Sequence, residues 1–385
     1  MIDKLKYILD RPKIWVILVV LVTLLVSINT RYFTHGHTSP ENVTYTKYNN
    51  YKIFQSSSNH FFSDQKLYVG HPAEHYDLYK YTPTFSVLFA IIAWTPDVIG
   101  LSIWNLLNVL VLVFGIYSLP RLTKIEKSLI VVLIFTQLMV NLQNEQSNSL
   151  ITGLILIAYS LMERKKMFLA ILCLGLTVFI KLFGIVAFVL ILLYPNRGKS
   201  ILYSTALILI MGLIPGFFVG FQDYFNILKD YGVLLANDHS VSFGFSVMGI
   251  LNAWFAVEPS KILMVLFGAI LFLLPLLQLK KFEIQNFRLG ILCSLLIWLI
   301  LFNHKSESPT LIIGTTGFIL WYVANKKNLY LNILFGISFV FICLSPTDII
   351  PQNIRFDYIQ PLLLNIFCML VFWLVLQAQL WKKKA

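Results

Sequence analysis

Residues 164–199 read RKKMFLAILCLGLTVFIKLFGIVAFVLILLYPNRGK, an apolar run with basic residues at both ends. Short loops rich in Lys and Arg stay in the cytoplasm, so both ends of the run are expected on the same side of a bilayer. An even number of crossings must then separate Arg164 from Lys199. Because Lys181 is the one charged residue inside the run, the sequence predicts two short helices that turn near this lysine.

The composition is that of a chain that lies in lipid. Of the 385 residues, 58% are hydrophobic and 12% are charged, whereas soluble domains carry about 25% charged residues. The mean hydropathy is +0.76. The four cysteines lie inside apolar runs without metal-site or disulfide-framework spacing. These figures exclude soluble and disordered proteins and predict an all-α polytopic membrane protein.

The net charge of +12 is distributed unevenly. Twenty of the 30 basic residues fall in clusters at the ends of apolar runs, and most acidic residues lie between these clusters. The clusters lie at 4–13, 121–127, 164–166, 197–199, 280–288, 326–327 and 382–384. The pattern indicates short cytoplasmic loops and argues against a nucleic-acid partner.

Counting crossings between the clusters predicts about twelve transmembrane helices in one integral domain, 1–385, with both termini in the cytoplasm. The helices are expected near 14–30, 98–119, 127–142, 148–162, 167–194 (two), 200–220, 261–279, 287–302, 309–324, 329–345 and 360–380. The first is interpreted as an uncleaved anchor. Two polar segments, 31–97 and 221–260, are expected outside.

The first external loop contains two predicted membrane-associated elements. Tyr45, Tyr48, Tyr51 and Phe54 recur at near-helical spacing, which predicts an amphipathic helix on the membrane surface. The apolar stretch 84–95, bounded by prolines, is shorter than the roughly 20 residues of a span, so it is expected to lie in the interface or to re-enter.

Function is expected where polar groups collect despite the cost of membrane burial. One cluster, residues 71–81, ends loop one and contains His71, Glu74, His75, Asp77, Lys80 and Tyr81. Its H-x-x-E-H spacing is also a metal motif, but Pro72 interrupts the helix that such a motif needs, so no metal is predicted. A solvated loop with an Asp77–Lys80 pair is the alternative.

Three further polar clusters are expected on the same side, and together they predict one composite site. They are the turn with Asn144 and Gln146, the bend at Lys181, and the turn with His304, Lys305 and Glu307; His239 lies in the second external segment. Ordinary turn chemistry and an interfacial lysine are the alternatives for the first two.

Three features together resemble glycosyltransferase family 87. They are the stretch KYTPTFSVLFAIIAWTP at 80–96, NEQSNSLITGLILIAYSLMERKK at 144–166, and the lysine-bearing hairpin 175–199. The resemblance implies a GT-C-type helix bundle with a catalytic carboxylate in the first external loop. It also implies a polyprenyl-phosphate-sugar donor, with mannose as the sugar, and a glycolipid or glycan acceptor at the outer face of the cell (inner) membrane.

One position departs from this family pattern. The carboxylate that usually opens an Asp-aromatic stretch in loop one is replaced by Asn50. Either Asn50 makes the chain inactive, or another loop-one carboxylate, Asp77 or Glu74 with Asp64 behind them, deprotonates the acceptor.

The remaining polar residues are expected either to bind the donor phosphate or to make other contacts with the substrates. Lys80, Lys181, His304 and Lys305 are expected to bind the donor phosphate, which removes the need for a metal or other cofactor. Expected substrate contacts are Asn50, His75, Tyr81, Asn144, Gln146, His239 and Glu307.

A transporter or flippase of lipid-linked sugars is the rival class, although the polar clusters on one face are unlike a midplane transport site. A polysaccharide polymerase or ligase should instead centre on a large late loop.

Overall fold

The computed structural model describes residues 7–38, 42–237, 243–325 and 328–382, and 76% of these residues are helical. This confirms the all-α class. The described strands are two short ones in loop one, β1 (His37–Thr38) and β2 (Thr44–Tyr45), which pair antiparallel.

Most of the helices lie within the segments predicted to be helical, although Phe221–Asn237 is a helix in the segment predicted to be polar and external. The first half contains α1 (Pro12–Tyr32), α2 (Asn49–Phe62), α3 (Pro83–Ala93), α4 (Asp97–Ser118), α5 (Lys124–Leu133), α6 (Phe135–Gln143), α7 (Asn148–Glu163) and α8 (Met167–Ile180). The 3-10 helix Leu182–Leu193 follows. The second half contains α9 (Arg197–Leu213), α10 (Gly216–Val219), α11 (Phe221–Asn237), α12 (Val247–Phe255), α13 (Lys261–Leu273), α14 (Gln285–Leu301), α15 (Leu311–Ala324), α16 (Leu329–Phe339), α17 (Gln352–Ile354) and α18 (Leu364–Trp381). Short 3-10 turns lie at Leu274–Leu277, Leu279–Glu283 and Ser308–Thr310, and π-helical turns at Val340–Leu344 and Arg355–Ile359.

Four helices in the described part of the chain are long and apolar enough to cross a membrane: Pro12–Tyr32, Asp97–Ser118, Arg197–Val219 and Leu364–Trp381. The predicted helix 127–142 is instead two helices, α5 and α6, bent by 50°. If this bent pair is one span, the number rises to five. Eight further apolar helices are shorter, so the count of twelve stays a prediction.

The hairpin predicted at Lys181 is present. Helix α8 ends at Ile180, Lys181 has an extended backbone with φ −141° and ψ 127°, and the 3-10 helix begins at Leu182. The break therefore falls at the one charged residue of the apolar run.

The loop-one helix was predicted to lie on the membrane surface, and this prediction was wrong. Helix α2 begins at Asn49, and its apolar face is buried inside the protein. Phe54 makes edge-to-face contacts with Phe85 and Phe89 of α3 and with Trp104 of α4. Aromatic partners from two helices therefore take the place of lipid, because ring edges and faces attract one another.

Helix α3 is the short apolar helix predicted at 84–95. The hydroxyl of Thr82 accepts a hydrogen bond from the Phe85 N–H, and Pro83 occupies the first turn, where its missing N–H leaves no bond unmade. Thr82 also donates to the Phe179 carbonyl at the end of α8. This contact joins loop one to the hairpin that contains Lys181.

Helices α4 and α7 approach closely at two glycines. A Cβ atom added to Gly115 would lie 2.8 Å from the Gly153 carbonyl oxygen, and one added to Gly153 would lie 2.5 Å from the Val111 carbonyl oxygen. Small residues allow such close packing between helices in lipid. The contact holds α7 against α4 along its length.

Helix α7 separates two polar regions of the molecule. We call residues 144–148, Lys181 and 303–309 the polar end, and residues 163–166, 194–199 and 280–288 the basic end. The 16 residues of α7 place Asn148 and Glu163 about 23 Å apart at 1.5 Å per residue. At the basic end, Arg288 binds the Glu163 carboxylate through Nε at 2.6 Å and Nη2 at 2.8 Å, and Tyr194 donates to it at 2.7 Å.

Candidate functional site

Lys181 is the centre of the polar end. Its ammonium donates to Gln146 Oε1 and to Asn148 Oδ1, each at 3.0 Å. Removal from water lowers the pKa of Lys181 to about 8, although the negative charge of Glu307 raises it. The side chain is a cation held in place by two neutral amide oxygens.

Tyr81 connects the end of loop one to this cation. The Lys181 ammonium lies 5.6 Å from the centre of the Tyr81 ring, within the range of a cation–π contact. The Tyr81 hydroxyl donates a long hydrogen bond of 3.4 Å to Gln146 Oε1. The ring is itself stacked on Phe85, with centroids 4.9 Å apart. The structure thus brings the side chains of Tyr81, Gln146 and Lys181 together.

The turn 144–148 is fixed by donors from three other places in the fold. Successive backbone carbonyls accept from side chains: Asn144 O from Asn50 Nδ2 at 2.9 Å, Glu145 O from Trp104 Nε1 at 2.7 Å, and Gln146 O from Asn141 Nδ2 at 2.9 Å. The Asn144 side chain donates back to Val140 O at 2.8 Å. Asn50 and Asn144 therefore hold the turn in position.

The turn 303–309 completes the polar end. Asn148 Nδ2 donates to the Pro309 carbonyl at 3.1 Å, which joins this turn to the residues around Lys181. Glu307 is exposed and caps the 3-10 turn Ser308–Thr310.

His304 and Lys305 lie in the same turn, beside the chain that enters α12. The Phe245 N–H donates to Ser306 O at 2.8 Å, and a Cβ atom on Gly244 would lie 2.6 Å from His304 O. Gly244 has a positive φ of 54°. His304 is half-buried and Lys305 is exposed. The predicted contact His239 lies outside the described residues.

Asp77 and Lys80 pair with each other in loop one. Lys80 Nζ lies 3.3 Å from Asp77 Oδ1, and the Asp77 side chain is 55% exposed. Asp77 has a positive φ of 89° and accepts from the Leu78 N–H at 2.7 Å. This is the pair that the solvated-loop alternative predicted. It leaves the carboxylate open to solvent.

His75 and Glu74 are held by other groups. His75 Nδ1 donates to the Asp77 carbonyl at 3.0 Å, and burial lowers the pKa of His75. Glu74 Oε1 lies 3.1 Å from Nε2 of His60. Burial alone would raise the pKa of Glu74, but hydrogen bonds from Ser56 and His60 hold it below its usual range. His71 lies beside this pair, and the three side chains offer donor atoms within 4.8 Å of one another.

Glu145 is a polar-end residue that the sequence did not single out. It is 1% exposed, and neither carboxylate oxygen has a hydrogen-bond partner among the described residues. Burial raises the pKa of Glu145 well above its usual range, against a small opposing effect of Lys47. Buried polar atoms without partners are rare in native proteins and often mark functional positions. The sequence feature that could have indicated Glu145 is an acidic residue in a short turn between two apolar helices.

Comparison with known proteins identifies the family of the chain. No curated protein matches the chain. The family model of glycosyltransferase family 87 matches residues 79–301, more than half of the 385 residues. The matched part includes Tyr81, the turn 144–148 and Lys181, and it excludes Asn50, Glu74, Asp77 and the turn 303–309. The chain therefore belongs to glycosyltransferase family 87.

Proposed function

We propose that the protein transfers mannose from a polyprenyl-phosphate-sugar donor to a glycolipid or glycan acceptor, with inversion at the anomeric carbon. In this proposal the chain is a multi-pass protein of the cell (inner) membrane, with about twelve membrane helices and both termini in the cytoplasm. The polar end is the active site and faces outward.

The observation that carries the proposal is the setting of Lys181. An ammonium group has three N–H donors, and Gln146 and Asn148 accept two of them. Within the described residues the third N–H has no hydrogen-bond acceptor, and in this proposal it donates to an oxygen of the donor's phosphate. Because the cation is already held in place, little reorganisation is needed when negative charge develops on the leaving phosphate.

The reaction is a single displacement. The acceptor hydroxyl oxygen attacks the anomeric carbon, and the bond from that carbon to the phosphate oxygen breaks. The polyprenyl phosphate leaves with the bonding electrons, and a carboxylate takes the proton of the acceptor. Asp77 is the proposed base because its carboxylate is exposed, with Glu74 as the second choice. Lys80, His304 and Lys305 are proposed to add positive charge around the phosphate.

The orientation is supported by the two ends of helix α7. Arg164, Lys165 and Lys166 follow α7 directly, and Arg197 and Lys199 follow the 3-10 helix that returns from Lys181. Short loops with this excess of basic residues belong on the cytoplasmic side. The polar end, at the other end of α7, is then external and accessible to donor and acceptor in the outer leaflet.

The test is a transfer assay with purified protein in lipid nanodiscs. Polyprenyl-phosphate mannose with a radiolabelled sugar is supplied with glycolipid acceptors, and polyprenyl-phosphate glucose serves as the competing donor. Lys181→Met should lower transfer by about 100-fold, the range seen when one transition-state donor is removed. Lys166→Met, the same change at an exposed residue of the basic end, should leave transfer unchanged. Full activity of Lys181→Met would contradict the proposal.

Variants assayed in the same preparation distinguish between the candidate bases. The preparation also tests the rival function, a flippase. Asp77→Asn should abolish most transfer, whereas Asp64→Asn, an exposed loop-one acid, should not. Transfer that is undiminished in both Asp77→Asn and Glu74→Gln would refute the base assignment. Movement of the donor across the membrane of proteoliposomes, without any glycosylated product, would support a flippase instead.

A further inference from the structure

Three side chains of loop one form a compact group outside the polar end. His60 lies on helix α2 and is 4% exposed, while His71 and Glu74 lie in the following turn. One donor atom from each residue lies within 4.8 Å of the other two. His60 Nε2 is 3.1 Å from Glu74 Oε1, and the two imidazole rings have centroids 4.0 Å apart.

These separations are close to those of a zinc site. Zinc binds nitrogen at about 2.0–2.1 Å and carboxylate oxygen at about 2.0–2.2 Å with tetrahedral angles, which places neighbouring ligand atoms about 3.3–3.5 Å apart. The 3.1 Å between His60 and Glu74 already approaches this edge length. A movement of the His71 donor atom by about 1 Å would bring the three ligand atoms close to the spacing of a zinc site. His71 is half-buried, so such a rotation is open to it.

His71 also has the outer contact that metal-binding histidines use. Its Nε2 lies 2.9 Å from the backbone carbonyl oxygen of Lys66. A carbonyl oxygen can only accept, so Nε2 must carry the proton and Nδ1 carries the lone pair. A histidine ligand usually donates its other ring N–H to a carbonyl or a carboxylate, which fixes the tautomer and the ring orientation.

We infer that His60, His71 and Glu74 bind a transition-metal ion, with Zn²⁺ the best fit. Two imidazoles and one carboxylate suit zinc, whereas Mg²⁺ and Ca²⁺ prefer sites made of oxygen atoms alone. The fourth position would hold water. The ion would tie the turn after α2 back onto that helix and so fix the segment that leads to His75 and Asp77. It would also make Glu74 a ligand, which leaves Asp77 as the base of the proposed transfer.

The site is tested by metal binding, a measurement that does not depend on the proposed transfer reaction. Full-length protein in detergent is stripped with EDTA, dialysed and titrated with ZnCl₂ by calorimetry, and Co²⁺ replaces zinc for visible spectroscopy. We expect one zinc per chain and the intense visible bands of tetrahedral Co²⁺. His60→Ala and His71→Ala should each lose both signals. His35→Ala, an exposed histidine of the same loop, should keep both.

A folding control accompanies the variants because His60 is buried. His71→Ala changes a half-buried side chain, and its melting temperature without metal should equal that of the metal-free wild type. Zinc should raise the melting temperature of the wild type and of His35→Ala, and should not raise that of His71→Ala. If the double variant His60→Ala/His71→Ala binds as much zinc as the wild type, the assignment is wrong.

Discussion

The ammonium of Lys181 lies 3.0 Å from the side-chain oxygen of Gln146, a residue 35 positions earlier in the chain. This contact joins the turn 144–148 to the hairpin 167–194, the two elements that the sequence predicted to share a site. Tyr81 Oη donates to the same Gln146 oxygen at 3.4 Å, so one amide connects three polar segments. The contact fixes where the cation points before any substrate binds.

Replacing Gln146 by Leu should weaken donor binding. The change removes one acceptor and leaves Lys181 to find a new orientation, and a hydrogen bond to a charged group contributes about 1.5–3 kcal/mol. We therefore expect the KM for the polyprenyl-phosphate donor to rise by about tenfold or more. Gln143→Leu makes the same change at an exposed position three residues earlier and should leave KM unaltered. Equal KM values in wild type and Gln146→Leu would show that the contact does not serve the donor.

Transfer should decline as the pH rises through about 8. Lys181, whose pKa is lowered to about 8, must be charged to bind phosphate, so the active form predominates below that pH and is lost above it. Arginine stays charged at all accessible pH values, so the alkaline limb of Lys181→Arg should move to higher pH even if its maximal rate is lower. The measurement is the pH profile of kcat/KM for both proteins. An alkaline limb at the same pH in both would assign the titration to another group.

Glu145→Gln should stabilise the protein increasingly as the pH rises. Burial raises the folded-state pKa of Glu145, whereas an unfolded glutamate titrates near about 4.3. The protonated form is the one that the fold accepts. The stabilisation that the protonated Glu145 carboxyl gives the folded protein is complete below about pH 4.3 and is lost as the pH rises through the folded-state pKa.

Thermal unfolding in detergent between pH 5 and 8 tests this expectation. The melting temperature of the wild type should fall relative to that of Glu145→Gln across this range. Asp64→Asn, which neutralises an exposed carboxylate, should follow the wild type. Parallel curves for wild type and Glu145→Gln would mean that Glu145 is solvated or paired in the folded state. A simultaneous loss of transfer in the more stable Glu145→Gln variant would give this residue a functional role.

At the basic end, breaking the Glu163–Arg288 pair should be strongly destabilising. Arg288 contacts both carboxylate oxygens, and the two side chains are only 14% and 6% exposed. Arg288→Met leaves the buried Glu163 carboxylate with the Tyr194 hydroxyl but without a counter-charge, which should cost about 3–5 kcal/mol. The double variant Glu163→Leu/Arg288→Met should recover part of that loss, because no charge is then left unpaired. Lys280→Met removes an exposed charge from the same end and should have little effect. Equal losses in the single and double variants would exclude the pair as the cause.

The positions of charges predicted much of this fold, because an isolated charge in an apolar run is a strong constraint in lipid. The bend at Lys181 and the short helix after Pro83 were predictable in this way. The 50° bend between α5 and α6 was not, since residues 127–142 contain neither Gly nor Pro to mark it.

Tertiary contacts decided what the sequence left open. The burial of α2 depends on rings from α3 and α4, and the burial of Glu145 depends on a turn held by Asn50, Trp104 and Asn141. Each of these donors lies on a different element. No local sequence pattern therefore predicts the burial of α2 or of Glu145.

The resemblance to the family predicts a carboxylate at position 50, where this chain has Asn50. The contact that Asn50 makes predicts the effect of Asn50→Asp. The Asn50 amide donates to the Asn144 carbonyl oxygen at 2.9 Å, whereas an ionised aspartate can only accept. The substitution would bring a carboxylate against a carbonyl oxygen, and the lost bond should cost about 1–3 kcal/mol of stability. Transfer should not increase, because Asp77 is the proposed base. The rates of Asn50→Asp and Asn50→Ala, both of which lose the hydrogen bond, isolate the effect of the carboxylate. If Asn50→Asp transfers faster than the wild type and restores activity to Asp77→Asn, the base belongs at position 50 and the assignment to Asp77 is wrong.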